Sequence, residues 1–174
     1  MDFLVLGRGV PARDDADATA LDEEHWAYMD RFSFSLRGPL LTPDRRGWAG
    51  SVHVVDVPDL AAARAFADGD PYHRAGCFVG VDIWRVEELS TAAAEPLPAD
   101  GLVLVIVDGS DEGGVSRALG GRIAWWARLF TGDDGERAGT ILVVRGGHPD
   151  DVVGALQGVA HVREAHAWRV GGRR

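Results

Sequence analysis

The chain contains no lysine and no asparagine, so all 18 of its basic residues are arginine. These absences exclude a Schiff-base lysine, a phosphate-loop lysine and an N-glycosylation acceptor. Its one cysteine, Cys77, cannot form an internal disulfide. No apolar run approaches the roughly 20 residues that cross a bilayer as a helix. Residues 1–20 lack both the basic start and the long apolar stretch of a secretory leader, so the expected location is the cytoplasm. Positive charge is scarce as well: 27 acidic residues leave a net charge of −9, and the arginines form no stripe. Neither nucleic acid nor a membrane surface is expected as a partner.

What is present is apolar material, 46% of 174 residues, enough for one sizeable core or two small ones. Residues 90–100 carry two prolines and little apolar surface, which reads as a linker between residues 1–89 and 101–174. The same signals recur on each side. Phe3 to Leu6 and Leu102 to Val107 suit buried strands, each followed by a loop rich in Gly and Asp. Two aromatic segments, His25–Phe32 and Ile123–Phe130, are expected as helices. Ala49-Gly50-Ser51-Val52 and Ala138-Gly139-Thr140-Ile141 open matching strands, which lead into short helices at Asp59–Ala67 and Pro149–Leu156. Final strands contain Trp84-Arg85-Val86 and Trp168-Arg169-Val170.

This is an internal repeat. Its order matches the split βαβ of a ferredoxin-like α+β fold, and two such copies are expected to pack their bare sheet faces into one dimeric α/β-barrel-like core within the chain. From Phe32 to Ala49 is 17 positions but from Phe130 to Ala138 only 8, so the second copy is expected to have lost most of its second strand. The core is then either a monomer with pseudo-dimeric symmetry or one that associates further as a homodimer.

In that topology three polar signals of the first copy converge at one end of the sheet. His25 is expected near the start of its helix, Arg37-Gly38-Pro39 at the end of the second strand, and Asp70-Pro71-Tyr72-His73 just before the last strand. Pro71 forces Asp70 out of the helical region, which stops the preceding helix and frees the carboxylate to face the cleft. Trp26 and Trp48 flank that cleft, where they could stack on a planar substrate.

Glu24-His25-Trp26, Arg37-Gly38-Pro39, the strand centred on Gly50, and Asp70-Pro71-Tyr72 followed by Ala75-Gly76 resemble, in that order, the YciI-like (YCII-related) proteins over about residues 1–89. The resemblance implies a ferredoxin-like fold, a dimer with sheets face to face, and a His and an Asp sharing a cleft. One branch of that family eliminates chloride from a chlorinated hydroxyquinol. Trp26 departs from the usual Leu, and the second half has no counterpart of His25 or of Asp-Pro-Tyr. That half is expected to supply a wall and no ionisable pair of its own.

A carboxylate bonded to one imidazole nitrogen fixes the tautomer and leaves the other as a general base. His25 and Asp70 are therefore the candidate catalytic pair, with Arg37, Tyr72, Trp26 and Trp48 as candidate substrate-binding residues. The expected ligand is a small anionic or aromatic molecule, and neither cofactor nor metal is expected. The expected activity is cofactor-independent proton abstraction with elimination or isomerisation. The alternatives are a non-catalytic binding protein and a cofactor-free monooxygenase. In the bland reading His25 caps a helix and Asp70 satisfies a turn.

Other patterns carry less. Gly7-Arg8-Gly9 imitates a dinucleotide fingerprint, but the following Arg13-Asp14-Asp15-Ala16-Asp17 has no apolar helical face. Asp108, Ser110 and Glu112 suggest a calcium loop, yet position twelve is Leu119, so a solvated turn is expected. His161 and His166 are five apart and are not expected to share a metal. Cys77 is expected to be buried.

Overall fold

A computed structural model of the chain describes residues 1–10, 18–90, 96–109, 111–132 and 135–172. Residues 91–95 of the expected linker lie outside them, as does Ser110. In the first half, β1 (Asp2–Gly9), α1 (Ala18–Met29), β2 (Phe34–Leu41), β3 (Trp48–Asp56), α2 (Leu60–Gly69), α3 (Pro71–Arg74) and β4 (Phe78–Glu88) follow one another. The second half runs β5 (Leu102–Asp108), α4 (Glu112–Leu119), β6 (Ile123–Phe130), β7 (Arg137–Arg145), α5 (Pro149–Leu156) and β8 (His161–Trp168).

The eight strands close a barrel in the order β1-β3-β2-β8-β5-β7-β6-β4. Two short seams join the halves: Leu40 and Leu41 of β2 face Trp168 and Ala167 of β8, and residues 85–88 of β4 face 127–130 of β6. Strand alternation explains why the ring closes. Leu4, Leu6, Val52 and Val54 point inward and meet Leu104, Ile106, Ile141 and Trp168 in one buried cluster. Their neighbours Phe3, Val5 and Val55 point outward beneath α2, and Val103, Val105 and Val144 pack with Val152 and Leu156 of α5. Each half alone would leave its inner face in water, and burial of that face is the main force joining them.

Gly50 and Gly139 show the repeat at atomic scale. Both have positive φ, +142° and +150°, and a Cβ at either would lie 2.1 Å from Gly7 O or 2.4 Å from Val107 O. Only glycine lets β3 and β7 approach their neighbours so closely.

Ile123–Phe130 is a strand, which corrects the expectation of a helix. A register shift between Ile123 and Trp125 turns both Ala124 and Trp125 into the barrel, and Ala127 and Leu129 follow inward. That β-bulge gives spacings of one, two and two, close enough to a helical stripe to mislead. The second helix is instead α4, where the Asp111 carboxylate accepts the Gly114 N–H at 2.8 Å and so caps the first turn. The second copy therefore keeps its second strand, and six positions separate β2 from β3 as they do β6 from β7. The halves differ elsewhere: α3 has no counterpart between α5 and β8. The last strand ends at Trp168, so Arg169 and Val170 lie beyond it.

At one end of the ring Arg8 is clasped from both halves, by Glu164 (Nη2–Oε1 2.7 Å) and Asp82 (Nη1–Oδ2 2.6 Å). Glu164 also meets His166 Nε2 at 2.9 Å. Burial alone would raise the Glu164 carboxyl, but hydrogen bonds from His166 and Arg8 outweigh it and hold the group down at about 2.

Candidate functional site

The site lies outside the barrel, between the outer face of β2–β3 and the helices α1 and α3. It is a cavity of about 1050 Å³ lined by His25, Trp26, Arg37, Trp48, His53 and Tyr72, among others. All six sequence-predicted site residues except Asp70 reach its wall, and Asp70 stands directly behind His25.

Asp70 is held by the local chain. Its backbone is extended (φ −62°, ψ 124°) ahead of Pro71, ending α2 and starting α3. Its Oδ1 accepts the Tyr72 N–H at 2.9 Å and faces His25 Nδ1 at 2.7 Å. A carboxylate oxygen can only accept, so this contact places the imidazole proton on Nδ1 and the lone pair of the neutral ring on Nε2. His25 and Asp70 are 6% and 4% exposed, which removes most competition from water. Tyr72 lies flat on the His25 ring, centroids 4.0 Å apart and planes 10° from parallel.

His25 occupies the second half of α1, not its start, and caps nothing. Its ring meets Asp70 and Tyr72, and the ring centre of His53 is 5.7 Å away. Asp70 does satisfy a turn, as the bland reading required, but the same oxygen also engages the imidazole. Arg37 lies within β2, which runs on to Leu41. Its guanidinium sits 5.4 Å from the Phe34 ring centre, and none of the described carboxylates forms an ion pair with it. Tyr72 donates its hydroxyl to Asp22 Oδ1 at 2.6 Å, so donation to a bound molecule would require exchanging that partner. Trp26 is 38% exposed at the rim. Trp48 packs edge-on to Tyr72 with ring centres 5.8 Å apart.

Sequence reasoning missed His53. It sits in the run Val52-His53-Val54-Val55, where alternation alone puts it on the face opposite Val52 and Val54, the face the site uses. Desolvation depresses its pKa from 6.5 to about 3, and repulsion from His25 is the next cause. Asp70 pulls the other way, and Arg37 adds to the lowering. His53 is therefore neutral at ordinary pH, a fixed polar wall beside His25.

The corresponding place in the second half does contain ionisable groups, correcting the expectation of none. By strand register Trp126 replaces Arg37, Arg128 replaces Pro39 and Leu142 replaces His53. Glu112 of α4 accepts from Arg128 (2.7 and 2.9 Å) and Arg137 (2.7 Å), and the cavity it lines measures about 190 Å³. Asp108 is the last residue of β5, and its partly exposed carboxylate meets His161 and Arg163. His166 meets Glu164, a carboxylate other than the one His161 engages. Cys77 is buried, as expected.

Among solved structures, an anthrone oxidase-like protein is similar over 99% of this chain and 92% of its own, at 11% identity and a TM-score of 0.52. A putative monooxygenase from Lactobacillus acidophilus NCFM is similar over 98% and 96%, at 10% identity and a TM-score of 0.48. The 5-chloro-2-hydroxyhydroquinone dehydrochlorinase of Burkholderia phenoliruptrix AC1100, in complex with 2,5-dihydroxybenzoquinone, matches 49% of this chain and 92% of its own, at 21% identity and a TM-score of 0.40. A comparison with curated proteins finds no match. The full-length likeness at 11% identity shows the fold, a dimeric α/β barrel contained in one chain. The YCII-related domain model matches residues 1–87, half of the chain, and through that half the protein belongs to the YCII-related family.

Proposed function

We propose that the protein is a cofactor-independent enzyme acting on a small enolisable or phenolic molecule, with His25 as general base and Asp70 as its orienting partner. The observation that carries this reading is the buried 2.7 Å contact between His25 Nδ1 and Asp70 Oδ1, which leaves Nε2 of a cavity-lining ring without a protein partner among the described residues. Nε2 takes a proton from carbon alpha to a carbonyl, or from a phenol oxygen. The electron pair left behind becomes an enolate or phenolate, and Asp70 stabilises the imidazolium formed. Arg37 holds the oxyanion. Where the substrate carries a leaving group, the enolate expels it with its electron pair, giving elimination. Where it does not, the imidazolium returns the proton to another carbon, giving isomerisation. Residues 1–89 form the site-bearing domain in this reading, and 101–174 form the second copy, joined through 90–100.

The test is solvent-deuterium incorporation into a panel of β-dicarbonyl and dihydroxyaromatic compounds, followed by NMR. Wild type should exchange them, and Asp70→Asn should slow exchange by roughly a hundredfold or more. Binding without exchange by wild type would place the protein among ligand-binding proteins instead.

A further inference from the structure

The second half contributes more than a wall to this cavity. After β8 the chain continues alongside β2, where Gly171 N–H donates to Arg37 O at 2.9 Å. Glycine is required for that passage. A Cβ at Gly38 would lie 2.0 Å from Arg169 O, and one at Gly171 would lie 2.7 Å from the Gly38 Cα. A Cβ at Gly172 would lie 2.3 Å from the Arg37 guanidinium. The segment so placed packs on Arg37 and brings Arg169 to the cavity wall.

A third arginine arrives from the β2–β3 turn. Thr42 and Asp44 staple the turn, since Asp44 accepts both the Thr42 hydroxyl and the Arg46 N–H. Arg45 ties it to the second half through Asp100, Leu102 O and Gly147 O, and Arg46 lines the cavity. Two carboxylates share the lining, but Asp22 is engaged by Tyr72 and Asp100 by Arg45. No described carboxylate forms an ion pair with Arg37, Arg46 or Arg169. Three arginines from three chain segments thus line one cavity in a protein of net charge −9.

From this arrangement we infer that the substrate carries a second oxyanion, a carboxylate fixed to its ring or chain, and that Arg169 with Arg46 selects for it at the mouth while Arg37 serves the reacting oxygen. This rests on the reading of His25 and Asp70 given above and adds the substrate class. At about 1050 Å³ the cavity is at the top of the range of ordinary small-molecule sites, so a single ring leaves room for the extra group. Planar guanidiniums suit bidentate capture of a carboxylate.

The experiment is calorimetric titration of the full chain with 2,5-dihydroxybenzoate and with hydroquinone, the same diol without the carboxylate. Wild type should bind the carboxylate compound about tenfold or more tightly, with the preference shrinking as salt rises. Arg169→Gln should abolish the preference and leave hydroquinone affinity unchanged, while Arg169→Lys should restore part of it. Asp70→Asn should keep the preference, which separates failure of the carboxylate inference from failure of the dyad. Equal affinities in wild type, no binding of either compound, or equal weakening of both by Arg169→Gln would each overturn the inference.

Discussion

Leu142 holds in β7 the register position that His53 holds in β3. His53 faces Val5 and Arg37 across its two ladders, and Leu142 faces Val105 and Trp126. The two copies therefore share a backbone frame in which one position is polar beside the larger cavity and apolar beside the smaller one.

That relationship makes His53→Leu an informative change. The folded-state pKa of His53 lies near 3, below the unfolded value of 6.5, so the unfolded chain binds the extra proton. Its contribution is fully present above pH 6.5 and is lost as pH falls toward 3, with a limiting slope of about 1.4 kcal/mol per pH unit. Glu164, held near 2, adds a loss of the same sign only below its ordinary value of 4.5. Denaturant unfolding between pH 6.5 and 5 should show wild type weakening as acid is added and His53→Leu weakening clearly less. Parallel curves would mean that His53 is not held neutral.

Asp70→Asn keeps an oxygen for the Tyr72 N–H and removes the charge opposite His25. Its melting temperature should stay within a few degrees of wild type while deuterium exchange falls by roughly 10²–10⁴-fold. His25→Ala is the poorer probe. It empties a buried position stacked on Tyr72 and should itself cost about 1–3 kcal/mol in denaturant titration.

How far the chain could be read in advance follows from which cues are local. The Asp70-Pro71 break, the paired Ala-Gly strands and the apolar inner faces are short-range patterns, and the repeat, the ring and the meeting of His25 with Asp70 follow from them. The strand at Ile123–Phe130 was not legible because its bulge copies helical spacing. The roles of Arg46 and Arg169 were hidden for another reason. Arg169 depends on the path of residues 169–172 beside β2, a contact more than a hundred positions distant in sequence, and Arg46 on a turn tied by Arg45 to Asp100, Leu102 O and Gly147 O.

Gly38→Ala tests that path. The new methyl group would meet the Arg169 carbonyl, so the segment after Trp168 must move. Hydrogen exchange at the Gly171 amide should accelerate, and any preference for carboxylated ligands should fall. Unchanged protection at Gly171 would show that the passage tolerates a side chain.

Residues 1–95 expressed alone would expose Leu4, Leu6, Leu36, Val52, Val54 and Trp84 on one sheet face. The fragment should dimerise or aggregate in size-exclusion chromatography. A stable monomer at micromolar concentration would show that the second half is not needed to cover that face.

The covalent join between the halves has a consequence for how the two cavities can differ. In a ring of two identical chains every substitution is made twice, so an ion network that seals one cavity seals both. Here Glu112, Arg128 and Arg137 occupy one copy while His25, His53 and Asp70 occupy the other. One copy can thus serve as a brace without closing the opening on the far side.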